Sequence, residues 1–222
     1  MRVNLSNRQG SNMPIPQPGE IWKVSRLVQS PIQFSSAEQQ TLYSSFGQNF
    51  LAGTSPPRYV MIVKEPETLR GTQEQWLVVS VMLLSAKTES ISDVDLLVPA
   101  ELSGVEQDLL AETWHMVSAL TCNLLQPVGK RLSHEIYNHL LMIGDYYHGL
   151  VEELPAVSET HRLGLVSGSL YAAKDSTIQA FHEQEEAWSD VLTVPVAAYY
   201  SYLKRIKFTN AVLNEALDLE QH

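Results

Sequence analysis

Seven histidines, one cysteine and a run of glutamates are the residues of this 222-residue chain best suited to chemistry. His134 and His139 are five apart, which on a helix turns them roughly 140° from one another, so they do not readily share a metal ion. Asp145 and His148, three apart, fall on one helical face and fit a solvated pair. Cys122 beside Thr121 would need a base close in space to act as a nucleophile; without one, a free cysteine is a small buried hydrophobe. Glu183, Glu185 and Glu186 beside His182 have the composition of a general-acid cluster, yet a charge run on a helix is ordinarily its water-facing side. Tyr199, Tyr200 and Tyr202 could stack nucleobases, but their helical spacing fits a core or an interface better. The sequence has no phosphate-loop pattern, no G-x-S-x-G turn and no paired cysteines spaced for zinc. We therefore expect no metal and no cofactor.

The composition bounds the classes that remain. A hydrophobic share of 44% with 18% charged residues belongs to a globular chain with a real core. The 15 Lys plus Arg against 25 Asp plus Glu leave a formal charge of −10, which disfavours unspecific binding to polyanions. A lone cysteine cannot form an internal disulfide, the N-terminal residues lack the order of a signal peptide, and no apolar run approaches the roughly 18 residues of a membrane span. The expectation is a cytoplasmic protein without membrane insertion.

Elements that could position such residues follow from the pattern of apolar side chains. Residues 1–18, with Pro14, Pro16 and Pro18, form a disordered, extended lead-in. Glu20 to Val24 alternates as a strand, with Ile21 and Val24 toward the core and Trp22 on the other face. Ser25 to Pro57 lacks a sustained period and is expected to be a long loop with one helical turn around Ala37 to Tyr43. Strands are predicted at Arg58 to Val63, Trp76 to Leu84, Val94 to Val98, Thr113 to Leu120 and Asn123 to Val128. After Gly129 the period becomes helical. Ser133 caps a helix to about His148 that Gly149 stops, a turn-rich connector follows, and further helices run from Asp175 or Ser176 through Trp188 and from Pro195 to Glu220. Short strands with no helices between them predict an α+β fold, a small antiparallel barrel over 19–149 with its closing helix, followed by a helical extension over 150–222.

The stretch from Pro18 to about Leu141 resembles the MazF/PemK/Kid family of toxin endoribonucleases. The resemblance is carried by Pro18-Gly19-Glu20-Ile21-Trp22-Lys23-Val24, Arg58-Tyr59-Val60-Met61-Ile62-Val63, Trp76 to Leu84, Glu112-Thr113-Trp114, and Gly129-Lys130-Arg131-Leu132-Ser133 before the helix. It implies an SH3-like antiparallel β-barrel and cleavage of single-stranded RNA at the ribose 2′-hydroxyl. On this resemblance the catalytic residues are Arg58, whose guanidinium would stabilise charge building on phosphorus, and a hydroxyl at the end of the third strand. Direct alignment puts Met82 at that hydroxyl position, and a three-residue slip puts Ser85 there. Tyr59 stands where the family has proline.

With the hydroxyl position compromised, the expected function is that of a divergent MazF/PemK-like protein, weakened or inactive in catalysis, that works through protein contacts. The alternatives are an active endoribonuclease using Arg58 and Ser85, and a nucleic-acid-binding regulator without catalysis. The final helix supplies a contact surface: Val196, Tyr199, Leu203, Ile206, Asn210, Leu213 and Leu217 recur at threes and fours. Such a seam packs either on the chain's own domain or, as a homodimer or partner contact, on another helix with Asn210 fixing the register.

Overall fold

A computed structural model describes residues 14–67, 76–92, 95–152 and 176–219, with the side chains of the last stretch described through 206. The element order is β1 (Ile21–Val24), α1 (Ser36–Leu42), α2 (Ser45–Leu51), β2 (Tyr59–Glu67), β3 (Val78–Ser85), β4 (Asp95–Val98), α3 (Ala100–Ser103), β5 (Leu109–Leu120), β6 (Leu124–Val128), α4 (His134–Tyr147), α5 (Ser176–Trp188) and α6 (Asp190–Leu219). All ladders are antiparallel, and the strands form one six-stranded sheet in the order β4-β5-β3-β2-β1-β6. The fold is α+β.

The apolar runs of β2 and β3 are nearly unbroken because helices cover both faces of the sheet, so alternate side chains in both directions enter a core. On one face Trp22, Val24, Val60, Ile62, Val81 and Leu83 pack with Tyr43, Phe50, Trp188, Val191 and Leu192 from α2, α5, α6 and the turn after α1. On the other, Ile21, Met61, Met82, Leu84 and Ala111 pack with Leu140 and Ile143 of α4. The expected division of β1 is corrected accordingly: Trp22 and Val24 share one core and Ile21 lies in the other.

The expected closed barrel is also corrected. β4 and β6 are the two ends of the strand order, and no ladder joins them. Both are short, and Pro127 in β6 has no N–H to offer a further partner. The ends approach instead through one hydrogen bond, from the Lys130 N–H to the Ser103 carbonyl at 2.6 Å. Gly129 permits this approach: its φ is +66°, and a Cβ there would stand 2.2 Å from the Ser103 oxygen.

Two helical expectations change. The stretch between β1 and β2 holds two helices rather than one turn: Ser35 and Glu38 form a capping box on α1, and Ser44 caps α2 by accepting from the Gly47 N–H. Ser133 caps α4 as anticipated, accepting from the Ile136 N–H. Pro195 does not open the last helix but lies inside it. α6 starts at Asp190 because Val191 and Leu192 must be helical to reach the core beside Trp188, and that packing outweighs the missing amide of proline. The connector expected after α4 falls largely on 153–175, outside the described residues.

Candidate functional site

The strand register brings the two sequence candidates together. Tyr59 pairs with Leu84, so Arg58 and Ser85 stand at the same end of neighbouring strands, on the face shared by Val60 and Leu83. That face lies beneath α5. Ser85 is fully buried and its Oγ accepts from the Lys87 N–H. Met82 points to the opposite core.

Arg58 is only 8% exposed, and what covers it is α5. Its Nη1 donates to both carboxylate oxygens of Glu185, at 2.7 and 2.6 Å. Its guanidinium carbon lies 4.8 Å from the centre of the Trp188 ring. Trp188 Nε1 donates to Glu185 Oε2 as well. Phe181, Glu185 and Trp188, at spacings of four and three, form the inner stripe of α5. The reading of the glutamate run as wholly water-facing is thereby corrected: Glu183 and Glu186 are exposed, whereas Glu185 is fully buried.

Two further carboxylates share the space. Asp95 and Glu112 are cross-strand partners in β4 and β5, and both are fully buried. Asp95 is well supplied with donors: the N–H and Oγ of Ser92 and, at 3.0 Å, Trp114 Nε1. Glu112 is not. Its Oε2 lies 3.2 Å from His115 Nδ1, and its Oε1 receives no hydrogen bond. Burial, then the charges of Glu185 and Asp95, hold the Glu112 carboxyl well above the ordinary carboxylate range. A carboxyl kept protonated turns its oxygen into a donor, and Glu185 is the acceptor in reach. Burial, and then His182, push the His115 imidazole down to about 4. His182 stacks on Trp114 with centroids 4.2 Å apart, and its Nε2 lies 4.0 Å from Asp95 Oδ2.

Sequence reasoning missed Asp95, Glu112, His115 and Glu185 as members of one cluster. The signal available was a charged residue inside each of two otherwise apolar strand runs, DLLV and LLAETWHM, which only a buried partner can support. Among the described residues no group of three or more His, Cys, Asp or Glu side chains could hold a metal ion. Cys122 is half-buried beside Leu120 and Tyr199, and burial pushes its thiol up to about 11, which suits a packing role.

Away from this cluster, an open groove of about 690 Å³ runs along Arg26, Gln29, Phe34, Gln39, Tyr43 and Trp76. Among the described residues its one cationic lining side chain is Arg26, which donates to the Phe50 and Ser55 carbonyls and lies over the Phe50 ring. No helix of the described residues is long and apolar enough to cross a membrane. No protein-family model matches the chain, and no curated protein matches it either.

Proposed function

We propose that the chain is a divergent MazF/PemK-like protein with an opened-out SH3-like sheet, inactive or weakened as a nuclease in this conformation and acting through protein contacts. The observation that carries this reading is the buried Arg58–Glu185 pair. An arginine that is to stabilise a phosphorane must meet the substrate with its donors free. Here its Nη1 is committed to an internal carboxylate, its plane is covered by Trp188, and the adjacent Ser85 hydroxyl is out of solvent. Glu185 therefore occupies the place where a phosphate would sit.

The test is incubation of the purified chain with mixed single-stranded RNA, beside an Arg58→Ala variant whose folding is checked by circular dichroism. The expected outcome is no cleavage that depends on Arg58. Cleavage by the wild type that disappears in a folded Arg58→Ala variant would overturn the proposal and favour the active endoribonuclease using Arg58 and Ser85. Binding of RNA without cleavage, weakening steeply with salt, would favour the non-catalytic regulator.

A further inference from the structure

We infer that α5 is a proton-operated latch: it stays docked over Arg58 while the facing carboxyls of Glu112 and Glu185 hold a proton between them, and loss of that proton releases the helix and uncovers Arg58. The inference deepens the functional reading above and rests on it for the meaning of the covered site.

Three fully buried carboxylates meet in a chain: Asp95 lies across the ladder from Glu112, Glu112 feels the charge of Glu185, and Glu185 pairs with the Arg58 guanidinium. Arg58 gives its Nη1 to Glu185 while its Nε has no hydrogen-bond partner among the described residues, and Asp95 draws on Ser92 and Trp114. Glu112 is left with His115 on one oxygen and no donor on the other. The remaining groups facing it do not supply a fixed cation. His115 is a buried imidazole, His182 on α5 leans toward Asp95, and Lys87 after β3 donates to Gln184 Oε1 instead. Like charges directly across a ladder repel, as Asp95 and Glu112 would if both were ionised, and an ionised Glu112 would also face Glu185. A proton on Glu112 removes both repulsions and supplies the missing donor.

Of the groups involved, Asp95, Glu112 and His115 belong to the sheet, and Glu185 is carried in by a helix. α5 is the element that can move away and let Glu112 meet water. Opening then releases one proton, so the equilibrium constant for opening rises tenfold per pH unit wherever the docked helix keeps Glu112 protonated and the undocked one does not.

Amide hydrogen exchange of the full chain reads this directly. After correction for intrinsic exchange, the opening constant of amides in 176–188 is expected to rise about tenfold per pH unit over part of the range from about 6.5 to about 9, while amides of β3 and β5 hold their protection. Glu112→Gln, which keeps a neutral donor facing Glu185, is expected to abolish the dependence. A flat α5 profile, loss of protection in α5 and the sheet together, or an unchanged slope in Glu112→Gln would each overturn the latch. If that variant does not fold, the wild-type comparison of α5 with β3 and β5 decides alone. RNA cleavage is not measured, so a failed latch leaves the functional reading standing, and Arg58-dependent cleavage would overturn that reading without altering these exchange rates.

Discussion

Arg58 and Glu185, 127 positions apart, form a buried ion pair in which one guanidinium nitrogen serves both carboxylate oxygens at 2.6 to 2.7 Å. Removing either partner strands the other charge in a buried site. We expect Glu185→Ala to cost about 3–5 kcal/mol, and a joint Arg58→Met, Glu185→Leu replacement to cost much less, because the desolvation of both ions is then avoided. Urea denaturation of the three proteins measures this. Single substitutions costing under about 1 kcal/mol would mean that the pair behaves like an exposed one.

The pH dependence of stability has two limbs with opposite signs. Glu112 is held above its ordinary 4.5, so the folded chain keeps a proton that the unfolded chain has lost, and stability falls as pH rises above 4.5. His115 is lowered from 6.5 to about 4, so the unfolded chain binds a proton first, and stability falls as pH drops from 6.5 to 4. Between 4.5 and 6.5 the two slopes oppose each other, each about 1.4 kcal/mol per pH unit at full effect. Above 6.5 the His115 limb has ended, and the Glu112 decline continues as far as its raised folded pKa extends. In Glu112→Gln the decline above neutrality should disappear and the acid limb of His115 should stand exposed. Urea midpoints at pH values from about 5 to about 8 check both limbs. A variant that tracks the wild type throughout would remove Glu112 from the account.

Strand positions were legible in the sequence because runs such as VVSVMLLS declare themselves by residue type, and α4 was legible because its cap, stripe and stop all agree. Of α1 only a turn was legible, around Ala37 to Tyr43, and α2 was hidden by its composition. SAEQQTL and SFGQNFL have weak apolar stripes, and only the caps at Ser35 and Ser44 mark them. The site was half legible. Family resemblance selected Arg58, and the register places Ser85 beside it, but the partner Glu185 lies 127 residues away in a helix whose charges looked solvated. A carboxylate on an amphipathic stripe between Phe181 and Trp188 is buried only because an arginine awaits it, and local pattern does not carry that information.

Ser44 joins two helices that are distant in sequence. Its Oγ accepts from the Gly47 N–H at the start of α2 and donates to the Ala187 carbonyl near the end of α5, while its N–H donates to the Asp190 carboxylate. Ser44→Ala removes a cap and an inter-helix bond together and should cost about 1–2 kcal/mol. It should also raise exchange in 176–188 more than in β5. Equal effects on the two elements would mean that α5 is not held through this contact.

The final helix offers the sharpest separation of packing from association. Of its seam, Val196, Tyr199 and Leu203 already lie against Leu120, Trp76, Val78 and Cys122, so this part is used within the chain. Ile206, the next seam position, is 36% exposed, and the side chains of Asn210, Leu213 and Leu217 lie outside the described residues. Tyr199 is nearly fully buried, and its hydroxyl has no hydrogen-bond partner among the described residues. A buried, unpaired hydroxyl carries a desolvation cost with no return. Tyr199→Phe is therefore expected to be neutral or to stabilise by up to about 1 kcal/mol, whereas Tyr199→Ala, which empties the space against Trp76, should cost about 3–5 kcal/mol. Leu203→Asp would disrupt the same contact and lower the urea midpoint of the whole chain if the seam packs internally. A fully stable Leu203→Asp monomer, obtained from a wild type that sediments as a dimer, would instead assign the seam to self-association.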